Sequence, residues 1–110
     1  MKSTRVKRTR ETKAIEKLMT EHFPNHARDF PPAAYRYNPA SIRVRVVDEQ
    51  FKDKSLTERE RMVRPILEEL PEETQADIMI LLLLSPDEMN GTMMSHEFDH
   101  PTQPPNRARR

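Results

Sequence analysis

The longest apolar run in this chain, Ile78 to Leu84, is seven residues, closed on one side by Asp77 and on the other by Ser85-Pro86. A membrane helix needs roughly 18–20 apolar residues, so no membrane span is expected. Seven residues are also too few for a free-standing helix. An unbroken apolar stretch of that length reads as a strand covered on both faces, in the middle of a sheet. The chain has 110 residues, 35% of them hydrophobic, which allows one modest core and no deep enclosed substrate cavity. It contains no Cys, which excludes disulfides, thiolate nucleophiles, Cys-ligated zinc and a self-held iron–sulfur cluster. The N-terminus is charged from Lys2 and lacks an apolar h-region, so no secretory signal and a cytoplasmic location are expected.

Around that strand the periodicity sets out the other elements. Ile15, Leu18, Met19 and His22 or Phe23 share one helical stripe over residues 12–23. Thr12 is the expected N-cap, and Phe23-Pro24 ends the helix because a residue before Pro is pushed out of the α region. Tyr35-Arg36-Tyr37 reads as a short strand and Asn38-Pro39-Ala40-Ser41 as a turn. From Ser41 to Val47, Ile42, Val44 and Val46 alternate with Arg43 and Arg45, the period of a half-buried strand. Ser55-Leu-Thr-Glu58 is a capping box opening a second helix, whose stripe is Met62, Val63, Ile66, Leu67 and Leu70, with Pro65 inside it. The order is α-β-β-α-β. The expected fold is α/β (α+β), a three-stranded mixed sheet with helices on one face and Leu18, Ile42, Val44, Val46, Val63, Leu67 and Ile80 in the core. Residues 12–88 are the expected domain. Residues 1–11 form a basic flexible extension, and residues 89–110, polar and Pro-rich, a disordered tail.

The net charge of +1 hides a segregation. Residues 1–13 carry Lys2, Arg5, Lys7, Arg8, Arg10 and Lys13 against Glu11, and the extreme C-terminus adds Arg107, Arg109 and Arg110, leaving an acidic body between two basic ends. Such ends are electrostatic handles for nucleic acid or an acidic partner, or else solvated termini that aid solubility. Arg43 and Arg45, expected on the uncovered side of the sheet beside Tyr35 and Tyr37, suit a stacking-and-phosphate surface for single strands. The plainer reading is ordinary exposed strand residues.

Several of these residues also follow a family pattern. A helix ending in Phe23-Pro24, a hairpin, then Phe51-Lys-Asp-Lys-Ser55 and Arg59-Glu-Arg61 ahead of a helix, and an apolar strand running into Ser85-Pro86-Asp87-Glu88 resemble the BolA-like family over roughly residues 13–88. The family pattern is Phe-x-Gly-x-Ser, then Arg-His-Arg, and a last strand ending at Thr-Pro-Glu-Glu. The resemblance implies an α/β fold like that of KH domains and docking on monothiol glutaredoxins, often around a shared two-iron, two-sulfur cluster. Some members are linked to DNA binding and transcriptional regulation, so a stress-related or regulatory role is implied too. Here Asp53 stands at the family's Gly and Glu60 at its middle His. The two cluster-ligand positions fall on Ser41 and Asp77. A hydroxyl and a carboxylate replace the imidazole or thiolate that iron–sulfur centres take, so no cofactor is expected.

The expectation is therefore a non-enzymatic binding domain that docks on a glutaredoxin-like protein through the hairpin and the helix at Ser55, with Arg59 and Arg61 meeting a partner carboxylate or phosphate. The alternative for Arg59 and Arg61 is a solvated face paired to Glu58 and Asp53. The alternative function is a KH-like nucleic-acid-binding or transcription-regulating protein using the basic ends, Arg43 and Arg45. No Ser-His-Asp set, paired-carboxylate cleft or Gly-rich phosphate loop points to catalysis. His96-Glu97-Phe98-Asp99-His100 spells the zincin pattern, yet Pro101 follows at once and no later His supplies a third ligand. His22 and His26 read as partly exposed polar residues rather than ligands. No metal site is expected.

Overall fold

The computed structural model describes residues 7–102. Residues 1–6 of the expected N-terminal extension and 103–110 of the expected tail lie outside the described residues.

Helix α1 runs from Arg10 to His22. Its N-cap is Thr9, one turn earlier than Thr12, because the two threonines satisfy each other: the Thr9 N–H donates to Thr12 Oγ1 at 2.8 Å and the Thr12 N–H to Thr9 Oγ1 at 3.3 Å. The helix buries Thr12, Ile15 and Met19 and ends where the Phe23 N–H donates to the Met19 carbonyl. Arg10 and Glu11, assigned above to a flexible extension, are thus helical.

Strands β1 (Ala33–Asn38) and β2 (Ser41–Val47) form the expected antiparallel hairpin, with Ala34 opposite Val44. Asn38 shapes the turn by accepting the Ala40 N–H on its side-chain oxygen at 2.9 Å. Ile42, Val44 and Val46 are fully buried against Ile15, Met19, Phe23, Val63 and Leu67. Helix α2 (Leu56–Leu67) starts at the Ser55–Glu58 capping box and buries Arg59, Val63 and Leu67 along one face; Pro65 sits within it. A short helix α3 (Glu72–Asp77), not foreseen from the sequence, follows Pro71, with Glu72 and Glu73 in its first turn where carboxylates complement the helix dipole.

Strand β3 (Ile78–Leu84) pairs parallel to β2. The sheet order is β1-β2-β3, so β2 is the central strand and β3 an edge, correcting the central placement expected from its apolar run. A register shift after the Ile42–Ile78 pair puts Ile80 opposite Arg43 and leaves Met79 65% exposed. One extra residue flips the face of everything after it. Leu81 and Leu83 therefore point to the core, and Ile80, expected there, lies on the Arg43 side only partly buried. Leu18, also expected in the core, is partly buried against it.

The fold is mixed α/β with a three-stranded mixed sheet, as expected, but its second face is not bare. Where a disordered tail was expected, a 3-10 turn (Pro86–Gly91) leads to helix α4 (Met93–Asp99). Phe98 is 4% exposed, its ring 4.8 Å from that of Tyr35, and Ser95 is buried beside it. A single buried aromatic is worth about 1.5–3 kcal/mol, enough to hold a short helix whose two methionines are exposed. No helix among the described residues is long and apolar enough to cross a membrane.

Candidate functional site

The hairpin turn, the start of β2 and the start of β3 meet at one end of the sheet. Ile42 pairs with Ile78 in parallel register, so Ser41, the first residue of β2, and Asp77, the last of α3, each stand one residue before that pair at the same end of the sheet. The hairpin supplies Arg36, whose Nη1 donates to Asp77 Oδ2 at 3.0 Å and to the Pro39 carbonyl at 3.1 Å. Arg36 also lies 4.0 Å from Glu11 at the start of α1. An open groove of about 540 Å³ beside the turn is lined by Lys7, Thr9, Arg36, Tyr37, Asn38 and Pro39. Hydroxyl, carboxylate and guanidinium make this end hard and charged. It offers no soft donor, and Asp77 is already engaged, so its residues do not fit an iron–sulfur cluster.

A second cluster lies at the N-terminus of α2. Arg59 is only 5% exposed. Its Nη1 donates to Glu88 Oε1 at 2.6 Å and Nη2 to Glu88 Oε2 at 3.0 Å, while Nε and Nη1 also reach the Lys54 and Leu83 carbonyls. The two-pronged geometry is the strong form of this pairing. These hydrogen bonds from Arg59 hold the Glu88 carboxyl at about 2, well under its ordinary 4.5. Arg59 is thus a buried strut and not part of an exposed binding face, which corrects both readings made of it above. Ser55, Leu56 and Arg61 remain exposed nearby, Leu56 at 72%. Between Phe51 and Ser55, Asp53 takes φ 62°, the left-handed region that favours glycine.

Arg43 and Arg45 are not on an uncovered face either. They leave β2 on the side opposite the core and are buried beneath α4. Arg43 Nη1 donates to Glu97 Oε2 at 3.0 Å and its guanidinium lies 3.7 Å over the Tyr37 ring. Arg45 Nη1 reaches Asp99 Oδ1 at 2.9 Å and Ser95 Oγ at 3.1 Å, with Phe98 and Phe30 against its guanidinium. The Tyr35 hydroxyl donates to the Phe98 carbonyl at 2.6 Å, and burial pushes the phenol pKa up. Glu97 is held at about 2 by the Thr102 N–H and hydroxyl and by Arg43.

Helix α4 carries the zincin pattern from His96 to Asp99, with His100 as its C-cap, and the His96 and His100 rings lie 4.8 Å apart, tilted by 40°. Glu97, however, faces inward to Arg43 and is no free base. Among the described residues no group of three or more His, Asp or Glu is placed to hold a metal ion. His22 is exposed, and His26 donates from Nδ1 to the Phe23 carbonyl at 2.9 Å. Sequence reasoning missed Glu88, Glu97 and Asp99 as ion partners. Glu88 alone had a local signal: Ser85-x-x-Glu88 is a second capping box, with the Ser85 N–H donating to Glu88 Oε1 at 2.9 Å.

No protein-family model matches the chain, and no curated protein matches it either.

Proposed function

We propose that this chain is a BolA-like, non-enzymatic docking domain that binds a glutaredoxin-like protein in the cytoplasm through the hairpin end of its sheet, and that it contributes no ligand to a shared cluster. The observation carrying this reading is the ion pair that joins Arg36 of the hairpin to Asp77 at 3.0 Å, at the end of the sheet where Ser41 begins β2. The two positions that the family resemblance marks as ligands lie at the same end of the sheet, and both hold oxygen donors. The surface keeps its place in the fold while its chemistry changes from metal ligation to ion pairing and hydrogen bonding.

Two further features support the resemblance. Asp53, at the family's Gly position, has the left-handed backbone that glycine serves. Arg59 and Glu88, from the two signature segments, are bonded to each other. The exposed Ser55, Leu56 and Arg61 lie at the other end of the sheet, where Arg59 meets Leu83 and Glu88 beyond the end of β3, and stand apart from this face.

Isothermal titration of an apo monothiol glutaredoxin into the protein tests this. Saturable binding is expected, weakened at least tenfold by Tyr37→Ala and left unchanged by Arg61→Glu at the far end of the sheet. Heats no larger than dilution, under conditions where both proteins are folded, contradict it.

A further inference from the structure

We infer that α4 is a removable cover over a second binding surface, and that the sheet face beneath it takes single-stranded nucleic acid. Arg43 and Arg45 are 8% and 5% exposed, and the carboxylates they meet are Glu97 and Asp99, both on one seven-residue helix. Their Nε atoms are buried without a hydrogen-bond partner among the described residues. Two guanidiniums left partly unsatisfied are a costly way to seat a short helix, because desolvating such pairs offsets most of their attraction. Apolar residues at positions 43 and 45 would hold α4 as well.

The same two arginines suit phosphates. They project from alternate positions of one strand, with Tyr35 and Tyr37 on the neighbouring strand and Phe30 at the edge of the face. Cations interleaved with aromatic rings are what single strands use: phosphates on the guanidiniums, bases stacked on the rings. Glu97 and Asp99 then occupy the phosphate places at 3.0 and 2.9 Å. The cover is fastened by Phe98, Ser95, those two ion pairs and the hydrogen bond from Tyr35, and a polyanion competes with the two ion pairs. This surface lies on the face opposite the core and shares only Tyr37 with the docking end proposed above.

The test is fluorescence anisotropy of a labelled oligothymidylate with the full chain at several salt concentrations. Glu97→Gln with Asp99→Asn removes the competing charges. Phe98→Ala loosens the helix without changing charge. Each is expected to tighten binding at least tenfold, and adding Arg43→Gln and Arg45→Gln should return affinity to the wild-type level. The salt slope should steepen by about 1.4 on uncovering, two contacts at about 0.7 each. Glu72→Gln with Glu73→Gln removes the same charge from α3 and should give a clearly smaller gain. If one uncovering variant loses its circular dichroism signature, the other decides. The inference is overturned if the folded variant binds as wild type does, or if the gain survives loss of both arginines. It is equally overturned if the α3 control gains as much, or if an oligoglutamate peptide displaces the oligonucleotide at lower concentration, which assigns the face to a protein partner.

Discussion

Arg59 on α2 and Glu88 beyond the end of β3 close a two-pronged ion pair at 2.6 and 3.0 Å, although 29 residues separate them along the chain. The guanidinium is buried, and it also carries the Lys54 and Leu83 carbonyls. It therefore joins the loop before α2, the helix and the edge strand.

Truncating that strut should be costly. Arg59→Ala leaves the buried Leu83 carbonyl without this donor and strips Glu88 of its partner, so a loss of about 2–4 kcal/mol is expected. Arg61→Ala, two residues further along α2 and exposed, should stay within about 0.5 kcal/mol of wild type. Urea unfolding of the two variants measures the contrast.

Acid should unfold the protein through these carboxylates. Glu88 and Glu97 are each held at about 2, below the ordinary 4.5. A carboxyl whose folded pKa is depressed contributes stability above its unfolded value and loses it as pH falls through the folded one. Stability should thus be level above about pH 5 and decline from about pH 4.5 toward pH 2. Glu88→Gln should lower the stability at neutral pH and flatten that decline. Thermal melts across the window read both.

Asp53 at φ 62° predicts an unusual stabilising substitution. Asp53→Gly should leave stability equal or raise it by about 0.5 kcal/mol, since glycine takes that conformation without a Cβ clash. Asp53→Val should lose about 1–2 kcal/mol. A pair of denaturant midpoints settles the sign.

Leu67 is buried under the sheet and Ile80 only partly buried on its other face. Leu67→Ala should cost about 2–5 kcal/mol. Ile80→Ala should cost clearly less, because the shift at Met79 turns it away from the main core. Equal losses would mean that the register of β3 is wrong.

What the sequence made legible follows from where its signals are local. The alternation of Ile42, Val44 and Val46 with two arginines, and the capping box at Ser55, each specify an element within a few residues, and both stand in the structure. The fold class followed from them. The strand at 78–84 was legible as a strand, yet its edge position depends on which neighbour it pairs with, and its face on a bulge; neither is written in an all-apolar run. Helix α4 was missed because its reason to exist is non-local: Phe98 fills a site between Tyr35 and Arg45, more than fifty residues earlier. The same omission exposed Arg43 and Arg45 on paper. At the hairpin end, the placing of Ser41 and Asp77 at the same end of the sheet needed the parallel register of β2 and β3, whereas their chemistry was readable from residue type alone.

The most direct measurement of the central claim is visible-region circular dichroism of a cluster-loaded monothiol glutaredoxin titrated with this protein. The account predicts that a complex forms, detected in parallel by size-exclusion chromatography, while the charge-transfer bands keep the shape they have for the glutaredoxin alone. New bands that grow to one equivalent and vanish with Asp77→Ala would contradict it, because Asp77 would then be a ligand rather than the partner of Arg36.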